Sequence, residues 1–172
     1  IVHVTGLIAI PHLNVFKPVC IYYTLECWEI ALKSNNTPSV IALSRQKVPY
    51  INPKDTKDNK CEKGAYVVNI TSHENKITLV ASGSEVELAL KVQKKLQENN
   101  IHSKVVSMPC MELFDKQSED FRKDILEENS LVVSLEAGCI MSWQKYIKNN
   151  GINFGIDQFG ESAPYKEVYD HL

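Results

Sequence analysis

Short apolar runs alternate along this chain with stretches whose apolar residues recur every three or four positions. The runs of strand length are VFKP (15–18), SVIALS (39–44), AYVVNI (65–70), ITLVAS (77–82), SKVVSMP (103–109), LVVSLEAG (131–138) and INFGI (152–156). The first is expected to stop at Pro18, since proline cannot donate to a ladder. SVIALS is continuously apolar, as strands in the middle of a parallel sheet are. Helical spacing covers Tyr22 to Ser34, Glu85 to Glu98, Ser118 to Glu127 and the short SWQKYIK (142–148). Leu25, Trp28, Ile30, Ala31 and Leu32 predict that the first of these is largely buried, and Asn35-Asn36 with Pro38 end it. Strands separated by helices predict a three-layer α/β/α fold around a mostly parallel, mixed sheet with right-handed crossovers.

The pattern breaks between Val48 and Gly64. PYINPKDTKDNKCEKG has two prolines, a cluster of Lys and Asp and no periodicity, which predicts an exposed linker over 48–64 between two globular units. Downstream, VASGSEVELAL (80–90) joins a strand to a helix through Gly83, the layout of a phosphate cradle. Its chemistry argues otherwise. Ser84 and Glu87 have the spacing of a capping box, which would occupy the N–H groups a phosphate needs. Glu85 adds a second negative charge in the same turn, which suits the helix dipole and repels an anion. Neither G-x-G-x-x-G nor G-K-[ST] is present there, so the turn is expected to be structural.

Arg45 leaves SVIALS at the carboxyl edge where open α/β sheets collect ligands. With Ser44 and Gln46 beside it, its guanidinium could grip a phosphate or carboxylate; a surface arginine paired with an acid is the equal alternative. Cys110 and Cys139 also lie at strand ends. No histidine is near either in sequence, which makes them buried apolar residues rather than nucleophiles. His3, His12, His73, His102 and His171 never fall at ligand spacing, and His73 and His102 sit in polar turns. Glu136 is a carboxylate at a strand end; a general base, an interdomain hydrogen bond and a helix cap all fit it. The helices carrying Trp28 and Trp143 are expected to supply core and docking surface.

Composition narrows the classes. The 172 residues suffice for one core, or one domain and part of another, and the formal charge of −2 gives no reason to expect nucleic acid or an acidic membrane as partner. No apolar run approaches the roughly 20 residues that span a bilayer. Five scattered cysteines without a C-x-x-C pair suit reduced thiols and a cytoplasmic setting. The chain opens on Ile1, and a fragment is expected.

Six strings in order carry a family resemblance: SVIALSRQ (39–46), EKGAYVV (62–68), ASGSEVELAL (81–90), VVSMPCMELFDKQ (105–117), LEAGCIMSWQKY (135–146) and GIDQFGESAP (155–164). Together they resemble the C-terminal part of transketolase, from about Leu7 to the end. The resemblance implies an enzyme that moves a two-carbon ketol unit between ketose and aldose phosphates of the pentose phosphate pathway. It further implies thiamine diphosphate and Mg²⁺ as cofactors, sugar phosphates as substrates, and a homodimer with sites shared between mates. On that plan residues 1–47 are the end of the pyrimidine-binding domain and 65–172 the C-terminal domain. Arg45 matches the family arginine that contacts the sugar phosphate; no catalytic, metal or cofactor-binding residue is carried over. Lys17 stands where an arginine is common. No G-D-G…N string is present, so the isolated chain is expected to be inactive and to bind neither cofactor. The alternative is a stand-alone binding or assembly module derived from such a domain.

Overall fold

A computed structural model describes residues 2–52, 57–72, 74–127, 129–147, 151–156, 158, 163–164 and 167–168. The first unit comprises α1 (Val2–Ile8), β1 (Asn14–Phe16), α2 (Ile21–Lys33) and β2 (Ser39–Ile41). Its two strands pair in parallel, Asn14 opposite Ser39 and Phe16 opposite Ile41. The second unit holds β3 (Tyr66–Ile70), β4 (Ile77–Ala81), α3 (Glu85–Glu98), β5 (Ser103–Ser107), α4 (Met111–Asp115), α5 (Glu119–Leu126), β6 (Leu131–Leu135) and β7 (Ile152–Phe154). Its five strands run in the order β3-β5-β4-β6-β7, with β3 antiparallel to β5 and every other pair parallel. The mixed, mainly parallel α/β sheet expected from the sequence is therefore present.

Side chains alternate between the faces of this sheet, as strand geometry requires. Leu79, Ala81, Val105, Val133 and Leu135 point to one face, where Val86 and Ala89 of α3 join them. Val80, Val106 and Val132 point to the other, against Phe114, Ile125 and Trp143. Burial on both faces explains why these strands read as continuous apolar runs. The first core does not stop at the unit boundary: Phe16, Val19, Tyr23 and Cys27 belong to it. Tyr23 of α2 stacks on Tyr66 of β3, ring centroids 4.7 Å apart.

Several expectations change. The stretch 48–64 is not simply an exposed linker: Val48 and Ile51 pack on the core, and Cys61 is fully buried in a 3-10 turn, Lys60–Lys63. Asn59 and Glu26 hold that turn to α2, both accepting the Cys61 N–H at 3.0 and 3.1 Å. α2 is not largely buried. Ile21, Leu25, Trp28 and Leu32 form an exposed stripe, because both faces of this helix are apolar and the described residues cover only one. SVIALS forms strand only over its first three residues, half-buried rather than central, since β1 is its only strand neighbour among the described residues. Residues 142–147 of SWQKYIK do not form the expected helix; a 3-10 turn, Ile140–Trp143, replaces its start. α1 and α4 were not predicted. The β-branched residues and Gly6 of α1 disfavour helix intrinsically, and packing of Ile8 on the second core offsets this.

One backbone position fixes how the turn enters the second unit. Gly64 has φ +79°, and a Cβ there would lie 2.2 Å from the Phe114 nitrogen and 2.4 Å from the Cys110 oxygen. Gly83 has φ +57° but open space, with Lys17 Cβ at 3.8 Å. In urea unfolding, Gly64→Ala is expected to cost about 3 kcal/mol or more, since backbone atoms must move. Gly83→Ala should cost only the roughly 1–2 kcal/mol of its left-handed backbone.

Candidate functional site

An open α/β sheet has a natural crevice where consecutive crossovers diverge. Here β4 leads to β5 on one side, and the chain then crosses back to β6 on the other. The crevice therefore lies between the carboxyl ends of β4 and β6, where Gly83 and Glu136 sit. Lys17, the residue after β1, occupies it. The Gly83 N–H donates to the Lys17 carbonyl at 3.0 Å, and the Lys17 N–H donates to the Pro109 carbonyl at 2.8 Å. Its ammonium reaches Glu136 Oε2 at 2.5 Å. The same oxygen accepts the indole N–H of Trp143 at 2.9 Å. What the glycine turn holds is a peptide carbonyl of the first unit.

The expected capping box does not form. Ser84 has helical backbone angles and its side chain caps no N–H; its hydroxyl donates to Glu85 Oε1 at 2.7 Å instead. Glu87 pairs with Lys91 at 2.6 Å, one turn along the exposed face. Capping requires an extended N-cap residue, and docking of Lys17 against Gly83 accompanies a different turn geometry. Glu85 is only 8% exposed. Burial raises its pKa above the ordinary carboxylate value, the Ser84 hydrogen bond lowers it, Glu136 raises it further and Lys17 lowers it.

The remaining candidates separate in space. Glu136 makes the inter-unit hydrogen bond, one of its three expected roles. Cys110 is fully buried and its thiol donates to Glu112 Oε2 at 3.2 Å; burial raises its pKa, against nucleophilic use. Cys139 is half-buried. Trp143 is core, as expected, whereas Trp28 lies on the exposed stripe of α2. His73 and His171 fall outside the described residues. Arg45 is exposed in a bend beyond β2. The Ser44 hydroxyl donates to the Gln46 carbonyl at 3.1 Å, so it is committed to the turn rather than held ready beside the guanidinium. Sequence reasoning missed Lys17 as a site residue; its one signal was a cation directly after a strand.

The residues at the crevice do not fit a metal diphosphate. Its glycine N–H is used, two carboxylates face it, and among the described residues no three His, Cys, Asp or Glu side chains gather to hold a metal. No helix among the described residues is long and apolar enough to cross a membrane.

Fold and crevice together define a doubly wound α/β domain of the kind that docks on a second α/β unit. Residues 64–172 match the family model of the transketolase-like TK C-terminal domain. The chain is 41% identical to a transketolase of Sinorhizobium medicae over 171 residues, covering 99% of this chain and 24% of that protein. Its structure is similar to that of transketolase from Leishmania mexicana, with a TM-score of 0.87 at 37% identity, covering 98% of this chain and 24% of the other. For transketolase from Campylobacter jejuni the TM-score is 0.89 at 34% identity, covering 99% and 26%. The chain belongs to the transketolase family. It spans about a quarter of the length of these relatives.

Lys17 and Glu136 have side chains only 14% and 11% exposed, so removing one partner strands a poorly solvated charge. Lys17→Met should lower stability in urea by about 2–3 kcal/mol, and Glu136→Gln in the same chain should restore most of it. Glu85 adds a pH dependence of known sign. Its raised folded pKa means the folded state holds the proton more tightly, so its contribution is complete below the ordinary value of 4.5 and is lost as pH rises through the folded pKa. Glu85→Gln should therefore gain stability relative to the parent as pH rises above the ordinary carboxylate value of 4.5, read from urea melts at stepped pH.

Proposed function

We propose that this chain is the carboxyl-terminal quarter of a transketolase-type enzyme, which transfers a two-carbon ketol unit between ketose and aldose phosphates. The observation that carries the reading is the continuity of the match. It runs over 99% of the chain, through both units and the turn between them. A free-standing C-terminal domain would share only the second unit. On this reading the first unit is the end of the pyrimidine-binding domain, 1–47, followed by a connection over 48–64 and the C-terminal domain over 65–172.

The part played by these residues is architectural and electrostatic. The crevice that could have held a ligand holds Lys17, so the second unit fixes the direction in which β1 and β2 run. β2 in turn delivers Arg45 to its carboxyl edge, exposed for an anion. An arginine there suits the sugar phosphate, which it would grip in bidentate fashion. Thiamine diphosphate and Mg²⁺ belong to the complete enzyme on this reading, and the described residues offer no site that fits them. No step of the reaction is routed through this chain alone. A dimer mate and a cytoplasmic setting follow from the same reading.

Arg45→Ala in the full-length enzyme should raise KM at least about tenfold for phosphorylated sugars and leave unphosphorylated ones nearly unchanged. An equal effect on both would make Arg45 structural. Calorimetry of this chain with thiamine diphosphate and Mg²⁺ should show no saturable binding. Tight binding would instead favour a self-sufficient module.

A further inference from the structure

Two open surfaces of the first unit face the same way. On α2, Ile21, Leu25, Trp28 and Leu32 are spaced 4, 3 and 4 apart and are 66, 63, 49 and 76% exposed. At 3.6 residues per turn they form one stripe. The buried residues of the helix, Tyr23, Glu26 and Cys27, lie on its opposite side. That side is turned to the second unit, where Tyr23 stacks on Tyr66 and Glu26 accepts the Cys61 N–H. The stripe therefore points away from the second unit. Its flanks ask for no polar partner: the Thr24 hydroxyl donates to the Cys20 carbonyl at 2.9 Å, and Glu29 pairs with Lys33 at 2.6 Å.

The second surface is the outer edge of β2. The edge of β1 away from β2 is already taken by Glu112, Pro109 and Gly83 of the second unit, so this sheet can grow only beyond β2. The Pro38 carbonyl and the Ala42 N–H face β1. Alternation therefore turns the Ser39 and Ile41 N–H groups outward, where no strand among the described residues meets them. One further βα segment covers an open parallel edge and an apolar helix flank together, its strand on the edge and its helix beside the existing one. The transketolases that this chain matches have most of their length outside the matched segment, which is 24% of each of two of them. We infer that the α2 stripe and the β2 edge receive such a segment from the rest of the full-length enzyme, with its strand parallel to β2 and its helix laying an apolar stripe on Leu25, Trp28 and Leu32. This rests on the ketol-transfer reading, which is what supplies the segment.

Leu32→Cys in a Cys139→Ser background puts an accessible thiol on the stripe, while Cys20, Cys27, Cys61 and Cys110 stay buried. Maleimide labelling at residue 32, followed by mass spectrometry, should be at least about a hundredfold slower in the full-length enzyme than in the 172-residue chain. Hydrogen exchange needs no substitution and decides even if Leu32→Cys fails to fold. The Ser39 and Ile41 amides of the unmodified full-length enzyme should exchange at least about a hundredfold more slowly than those of the chain alone. Equal labelling or equal exchange in the two proteins, with ketol transfer by the full-length enzyme intact, would overturn this inference alone. Absence of ketol transfer in the unmodified full-length enzyme would instead overturn the reading on which it rests. Slow labelling already in the 172-residue chain, relieved on dilution, would assign the stripe to a second copy and overturn the inference as well.

Discussion

The structure turns on the backbone of one residue, Lys17. A two-stranded sheet is marginal by itself, because each strand leaves one edge of N–H and C=O groups unpaired. In β1 these groups alternate. Asn14 N–H and Phe16 C=O serve the first unit, bonding Pro38 and Ala42, while Val15 N–H, Lys17 N–H and Lys17 C=O serve the second, bonding Glu112, Pro109 and Gly83. Without the second unit that edge would have only water. The first unit therefore draws its order from the second, and the continuous core from Phe16 to Leu135 follows from that seating.

The same contact explains why a turn with the layout of a phosphate cradle does not behave as one. The features that make a glycine turn at a helix start receptive to anions are a free N–H and a positive field. Here the N–H is taken by a carbonyl, and the local charge comes from Glu85, Glu136 and one ammonium. The location that the topology reserves for ligands has become a joint between units. The joint also fixes the seating of β1, on which β2 pairs.

Much of the second unit was legible in the sequence. β3 to β7, α3 and α5 lie where apolar runs and helical spacing placed them, because strands buried on both faces have little compositional freedom. The weaker cases share one cause. The stripe of Leu25, Trp28 and Leu32 on α2 and the half-buried SVIALS carry apolar character that the described residues do not cover. Hydrophobicity records that a surface is to be buried, and not which neighbour buries it. Cys61 errs the other way: a buried residue within a charged, proline-bearing stretch, capped locally by Asn59 and held down by Glu26 from elsewhere in the chain.

The sequence by itself determined the layered α/β class, the sheet-forming segments and the family, since these rest on local patterning and on strings of residues in order. Tertiary structure alone decided the partners of polar groups. The spacing of Ser84 and Glu87 allows a capping box, yet Ser84 turns to Glu85 beside Gly83, whose N–H bonds Lys17, 66 residues earlier in the chain. Glu136 had three roles open to it until a lysine from another unit stood beside it. Directional interactions between residues distant in sequence leave no periodicity to read, and the joint at Lys17 is built entirely from them.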